Sequence, residues 1–324
     1  MPNSASGGRS RYVKTHRPIN RVLVIKLGAL GDIVQATGPF AAIRRHHGDA
    51  HITLLTTKLF SDFAAAGGWF DEVWVDDRPS WRELRGWIAS LKRLRRGRFD
   101  RIYDLQTSDR TAILFHLLGM WRKPEWCGIV SGCSHRHSNP RRDFLHTVER
   151  YAEQLGVAGI TDVPPPNVDG ISAEIGHFEI SSPYALLVPG GSPHRLDKRW
   201  PAASYAELAR RLIAKGITPV VIGGATETQV ATAIATFCEG SRDLTNETSM
   251  AEIVELARGT AGAVGNDTGP MHVITTAGAP SVVVFSQASD PELCGQRGPD
   301  VTILRRPSLD DLSVDEVEAA LHLR

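Results

Sequence analysis

The sequence predicts an α/β protein built from two parallel-sheet domains, and three observations predict it. Short β-branched runs such as residues 21–27 (RVLVIKL) alternate with stretches whose apolar residues recur every three or four positions, as strands joined by crossover helices do. The alternation runs twice, interrupted by the stiff Val163-Pro164-Pro165-Pro166. The 324 residues exceed the ~100–200 that one domain usually holds.

In order, residues 21–27 read as a strand buried on both faces. Gly28-Ala29-Leu30-Gly31-Asp32 turns the chain, and 33–45 follows as a helix with Ile33, Ala36, Phe40 and Ile43 on one face. Strands are expected at 52–55, 72–75 and 102–105, and a helix at 111–118. Between the third and fourth strands, Trp81, Leu84, Trp87, Ile88, Leu91 and Leu94 fall on one face of a helix over 81–98. Residues 82–101 carry eight basic side chains against two acidic ones, which suits a solvated surface or an anionic interface such as a membrane. Residues 124–147 are irregular, and a helix over 147–155 ends the first half. Beyond the prolines, strands are expected at 184–188, 217–222, 262–264, 281–285 and 301–304. Helices are expected at 201–215, 226–237, 250–258, 271–277 and 314–323. The division predicted is a disordered tail over 1–18, a domain over 19–175 and a second over 176–324. Two such domains make two Rossmann-like lobes around a cleft.

Composition narrows the setting. No apolar run reaches the ~20 residues a membrane span needs, and the N-terminus has no apolar signal region, so a cytoplasmic protein is expected. Four scattered cysteines fit a reduced compartment, and Cys127, Cys133, His135 and His137 match no zinc spacing. The net charge of +1 hides an uneven split: residues 1–160 hold 25 Lys+Arg against 15 Asp+Glu, and the remainder 12 against 21. The basic half is expected to meet an anionic partner, with Arg141 and Arg142 among its contacts.

The polar residues gather around the stretch 263–272 (AVGNDTGPMH). It reads as strand, tight turn and helix start, with Pro270 in the first turn where a missing N–H is harmless. Free N–H groups and the dipole at such a helix start attract anions, and Asp267, Thr268, Gly269 and His272 sit at its mouth. This is a phosphate or sugar-nucleotide site, or else a capped helix after a parallel strand. Lys198 precedes the helix at 201, where its ammonium can meet a phosphate. Glu227 follows Gly223-Gly224 after a strand, where a carboxylate can accept from ribose hydroxyls or simply favour a helix dipole.

Four stretches together carry a resemblance. These are Val24-Ile25-Lys26-Leu27-Gly28-Ala29-Leu30-Gly31-Asp32-Ile33, Lys198-Arg199-Trp200-Pro201, Ile222-Gly223-Gly224-Ala225-Thr226-Glu227 and Gly265-Asn266-Asp267-Thr268-Gly269-Pro270-Met271-His272. In this order the chain resembles glycosyltransferase family 9, the ADP-heptose:lipopolysaccharide heptosyltransferases. The resemblance implies a GT-B fold with the acceptor in the first lobe and the nucleotide-sugar in the second. Asp32 alone reads as an N-cap for the helix at 33; the resemblance makes it the general base, with Gly31 beside it on the acceptor side. It places Lys198, Glu227, Asp267, Thr268, Gly269 and His272 around the donor. Gln35 and Gly38 stand where larger apolar residues are expected, and 124–147 matches no known stretch.

The function implied is inverting transfer of a heptose from ADP-heptose to a phosphorylated lipopolysaccharide inner core, an anionic glycolipid. Peripheral contact with an anionic membrane goes with it, and no nucleic-acid partner is expected. No cofactor is expected either; a divalent cation could assist, but no cluster offers it a dedicated cage. Three alternatives stay open: the same chemistry on another sugar or polysaccharide, a sugar-nucleotide binding protein without catalysis, and a nicotinamide oxidoreductase. The last needs G-x-G-x-x-G in the first turn, which Gly28-Ala29-Leu30-Gly31 lacks.

Overall fold

The structure is a computed structural model that describes residues 18–119, 123–191, 195–224 and 227–324. The tail expected over 1–18 lies outside the described residues except for Pro18, as does Thr226 at the start of an expected helix. The first lobe runs β1 (Arg21–Ile25), α1 (Leu30–Gln35), α2 (Thr37–His46), β2 (His51–Thr56), α3 (Lys58–Ala66), β3 (Glu72–Val75), α4 (Leu84–Arg96), β4 (Arg101–Asp104), α5 (Asp109–Gly119), β5 (Glu125–Gly128), β6 (His135–Arg136) and α6 (Thr147–Gly156). The second runs β7 (Tyr184–Val188), α7 (Ala202–Ala214), β8 (Thr218–Val221), α8 (Thr228–Phe237), β9 (Arg242–Asp243), α9 (Met250–Gly259), β10 (Gly262–Asn266), α10 (Gly269–Thr276), β11 (Ser281–Phe285), α11 (Pro291–Cys294), β12 (Val301–Arg305) and α12 (Val314–Ala320).

Each lobe holds one six-stranded sheet, ordered β3-β2-β1-β4-β5-β6 and β12-β11-β10-β7-β8-β9. All strand pairs are parallel; Val22 to Ile25 of β1, for example, lie between Ile52 to Leu55 and Arg101 to Asp104. The two orders are one topology used twice, with the chain switching direction between β1 and β4 and again between β7 and β10. Open parallel sheets hold ligands beyond the carboxyl ends of their strands at such switch points. Burial on both faces explains the unbroken apolar strands, since Val22, Leu23, Val24 and Ile25 have no exposed surface. This two-lobed α/β architecture is the fold class the sequence predicts.

Several elements differ from expectation. The helix expected over 33–45 is two helices, because Pro39 has no N–H for the Gln35 carbonyl and the ladder lapses at Ala36. The first begins at Leu30, so Asp32 lies inside its opening turn rather than capping a helix at 33. The stretch 124–147 contains β5 and β6, which complete the sheet through Cys127 beside His135. β6 and β9 have two residues each, too few to display a period. On α4 only Trp87 and Leu94 are buried, while Leu84 and Ile88 are exposed, as is Trp81 ahead of it.

The lobes share an apolar core. Ile33, Val34, Phe60 and Phe63 of the first pack in one cluster with Val188, Met271 and Ile274 of the second. The proline-rich joint is pinned down: Val168 and Ile171 are fully buried, and Arg258 donates to their carbonyls at 2.9 and 2.7 Å. Gly38 is explained here, since a Cβ on it would lie 2.1 Å from the Pro164 carbonyl oxygen. Among the described residues no helix is long and apolar enough to cross a membrane.

Candidate active site

The second lobe builds its half of the site from the loops after β7, β8 and β10. Asn266, fully buried at the end of β10, is the knot. Its amide donates to the carbonyls of Pro189 and Gly190 at 2.8 and 2.9 Å. Its oxygen accepts from the Trp200 N–H and the Tyr205 hydroxyl, both at 3.0 Å. All four bonds an asparagine side chain commonly makes are satisfied, so the β7–α7 connection and the start of α7 are locked to the end of β10.

On that rim Asp267 accepts from Lys198 at 2.8 Å, Ser289 at 2.7 Å and Gln296 at 3.2 Å. Burial works against its charge, but Lys198 and these hydrogen bonds prevail and hold it below the usual carboxylate range. Glu227 turns back on its own loop and accepts from the Gly224 N–H at 2.9 Å. Gly190 leaves room for it, as a Cβ there would lie 2.6 Å from the Glu227 Cγ. Arg199 donates to the Gly191 carbonyl at 2.7 Å while its buried Nε has no partner. Thr268 is the N-cap of α10, yet its Oγ1 is buried without a partner. A buried hydroxyl left open beside a helix start leaves a hydrogen bond for a ligand to complete. Gly190, Gly191, Gly223 and Glu227 face Asp267, Thr268 and Gly269 across a cavity of ≈ 380 Å³.

The first lobe contributes the turn after β1. Asp32 accepts from the Ala29 N–H at 3.1 Å through one oxygen, and its side chain is 43% exposed. Behind it Lys26 lies 3.7 Å from Asp32 with its side chain only 4% exposed, its ammonium 5.5 Å from the Tyr151 ring centroid. Burial disfavours the Lys26 charge, but Tyr151, Asp32 and Asp104 raise its pKa above the ordinary value. Asp104, at the end of β4, is wholly buried, and desolvation pushes it up to about 6.

The halves meet where α1 faces α10. A Cβ on Gly31 would lie 2.5 Å from the His272 ring, and one on Gly269 would lie 2.7 Å from Leu30. Both glycines therefore permit close lobe contact, and the half-buried Gly31 lies against the His272 ring. His272 is buried and neutral, its pKa brought down to about 4 chiefly by desolvation. A neighbouring apolar cavity of ≈ 410 Å³ shares Gly223, Gly224 and Pro270 with the first and is lined by Leu30, Phe60 and Phe63 from the opposite lobe and by Met250.

The predicted residues thus fall into two groups. Glu227, Asp267, Thr268 and Gly269 line one cavity and Lys198 is bonded to Asp267, while His272 lies at the lobe boundary against Gly31, next to Asp32 in the chain. Of the first-lobe arginines, Arg141 is exposed, while Arg142 is largely covered, donates to the Thr107 hydroxyl at 3.1 Å and interacts with Tyr151 and Asp104, the neighbours of Lys26. In and beside the 124–147 stretch His137 lies 3.0 Å from Glu153 and His135 3.3 Å from Glu125. Sequence reasoning missed Lys26, Asn266, Ser289 and Gln296. The first two stand inside the quoted motifs, where a lysine in a buried strand and an asparagine at a strand end were the available signals. Ser289 and Gln296 come from a loop with no pattern.

Comparison with known proteins follows the same lines. The family model for glycosyltransferase family 9 (heptosyltransferase) matches residues 87–318. Lipopolysaccharide heptosyltransferase 2 of Escherichia coli is 28% identical over 217 residues, which are 60% of this chain and 62% of that protein. The chain thus spans under two thirds of that relative's length in the match. The solved structure of the E. coli ADP-heptose lipopolysaccharide heptosyltransferase II superposes with a TM-score of 0.77 at 22% identity, over 93% of this chain and 97% of that one. The glycosyltransferase family 9 protein of Veillonella parvula superposes with a TM-score of 0.82 at 19% identity, over 94% and 97%.

Proposed function

Because the chain belongs to glycosyltransferase family 9 and is a glycosyltransferase, we propose that it moves a heptose from ADP-heptose to a lipopolysaccharide inner core with inversion at the anomeric carbon. The observation that carries this reading is the second-lobe cavity at the start of α10, lined by Thr268 with its open hydroxyl and by Asp267, which Lys198 holds, together with the exposed Asp32 carboxylate on the first-lobe turn that packs against α10.

In this reading the diphosphate lies at the start of α10, taking the Thr268 hydroxyl and the Gly269 N–H. Asp267, held as a carboxylate, accepts from sugar hydroxyls, while Lys198 offsets the charge that grows on the leaving phosphate. Glu227 takes the ribose hydroxyls, and the apolar cavity beside Met250 takes the base. Asp32 removes the acceptor hydroxyl proton as that oxygen bonds to the anomeric carbon and the carbon–oxygen bond to the diphosphate breaks. Lys26 lies 3.7 Å behind Asp32 as its cationic partner. The products are the extended glycan and ADP, and no cofactor is consumed.

The acceptor side rests on charge. Arg141 and Arg142 suit an anionic glycolipid because a planar guanidinium can grip two phosphate oxygens. Trp81, Leu84 and Ile88, exposed at 61, 71 and 52% among the arginines of α4, suit peripheral contact with an anionic membrane face. The test is a thermal-shift panel of nucleoside diphosphates followed by transfer from the matching heptose donor to deacylated inner-core oligosaccharide. ADP should raise Tm most, because a ligand bound only by the folded state stabilises it. No preference among bases, or no transfer from ADP-heptose, would sink the donor assignment.

A further inference from the structure

Gln35 departs from the apolar residue expected on α1, and the structure gives it a task. Its side chain is buried and reaches across the lobe boundary. Its amide nitrogen donates to the Cys294 carbonyl at 3.4 Å and lies 3.3 Å from His272 Nδ1. A carbonyl oxygen can only accept, so the end of Gln35 facing both atoms is the NH₂, and its second proton points at Nδ1. Nδ1 must then be the bare, accepting nitrogen. Two further contacts between the lobes and one within the second lobe flank this geometry. His146 Nε2 donates to the Gly295 carbonyl at 3.0 Å, the Thr147 hydroxyl donates to the Leu293 carbonyl at 3.3 Å, and Gln296, next in the chain, holds Asp267.

We propose that Gln35 is a positioning residue that acts across the lobes, fixing His272 as the neutral tautomer with its proton on Nε2. Nε2 lies on the edge of the ring against Gly31, where a Cβ would stand 2.8 Å from it. Its N–H is thus presented to the turn that carries Asp32, as a donor to an oxygen of the transferred group. The groups acting on His272 are Asp267 and Asp32, which favour its protonation, and His146, which opposes it; burial outweighs them and keeps the ring neutral. A neutral ring has one donor and one acceptor nitrogen, and the partner of one decides the role of the other. The same contacts tie the arrangement to the lobe boundary, because both partners of Gln35 belong to the second lobe. This role rests on the glycosyl-transfer reading, but the tautomer does not.

The test uses the full chain labelled with ¹⁵N in its histidine rings, with His272 assigned by a His272→Gln variant. At pH 7 the His272 pair should show a protonated Nε2 and a bare Nδ1. Gln35→Leu should release the lock, moving the proton toward Nδ1, and should lower kcat about tenfold or more, as the wrong tautomer does elsewhere. ADP Kd should change less than about threefold. Gln35→Glu can only accept, so it should raise the His272 titration midpoint by about one pH unit or more and draw the proton to Nδ1. Wild-type His272 protonated on Nδ1, or a tautomer unmoved by both variants, overturns the proposal. So does a tautomer that moves while kcat stays at the wild-type value. If the tautomer moves and no sugar nucleotide is turned over by any form, it is the transfer reading that fails, and the lock stands.

Discussion

Lys198 is bound to Asp267 before any phosphate arrives, and this decides how its removal reads out. Their side chains are 16% and 9% exposed, so Lys198→Ala leaves a buried carboxylate without its partner. The variant should lose about 3 kcal/mol of stability besides weakening ADP binding roughly 10–150-fold. Lys198→Met with Asp267→Asn should regain most of the stability and none of the affinity. Glu227→Ala should weaken ADP binding to a similar extent with little loss of stability. Calorimetry with ADP and thermal melts separate the two effects, and unchanged affinity in either single variant removes that residue from the site. At this scale the sequence pointed to residues that stood in a motif, such as Asp32, Lys198 and Asp267, and the fold brings the last two into one bonded pair. It was not legible for Ser289 and Gln296, because only the folded chain brings a patternless loop within 3.2 Å of Asp267.

Elements carry a second kind of specification, in which space rather than chemistry selects the residue. Gly38 sits under the proline-rich joint, and the atom a Cβ would meet is a backbone oxygen at 2.1 Å that cannot swing away. Gly38→Ala should therefore cost about 1–3 kcal/mol, read as a lower Tm with ADP affinity retained. An unchanged Tm would show that the joint is not held against α2. The long parallel strands and most helices were readable from their periods, because burial on two faces or one stripe writes itself into the sequence. The break between α1 and α2 was readable in principle from Pro39, but the helical spacing of Ile33, Ala36, Phe40 and Ile43 continues through it and conceals it. The strands of two residues were not readable, since pairing with a neighbour, and not their own composition, makes them strands. On α4 the apolar spacing over-predicts burial, because Leu84 and Ile88 have no element above them.

For the whole molecule, pH and salt expose the balance of charges. His47 and His272 are brought down to about 4 by burial, and His146 is lowered as well, so each loses stability as pH falls from its unfolded ~6.5. Asp104 runs the other way: with its pKa pushed up to about 6, its contribution is full below ~4 and is lost as pH rises through 6. The histidines outnumber it, so stability should fall on acidification from pH 6.5 to 4.5, and Asp104→Asn should make that fall steeper. Melts at fixed ionic strength check this, and a protein that gains stability over the same interval contradicts it. Salt tests the uneven charge of the two halves. The Debye length shrinks from ~10 Å at 0.1 M to ~3 Å at 1 M, so KM for a phosphorylated acceptor should rise steeply with salt and KM for the donor less. Arg141→Gln with Arg142→Gln should raise the acceptor KM and flatten its salt dependence; a KM indifferent to both would move the acceptor off this surface. The most direct measurement is single-turnover transfer by Asp32→Asn beside its ADP affinity. The expected result is a rate ~10²–10⁴-fold below wild type with ADP Kd unchanged, because the carboxylate acts on the acceptor proton and not on the nucleotide. Turnover close to wild type would contradict it and leave Asp32 as only the acid in the first turn of α1.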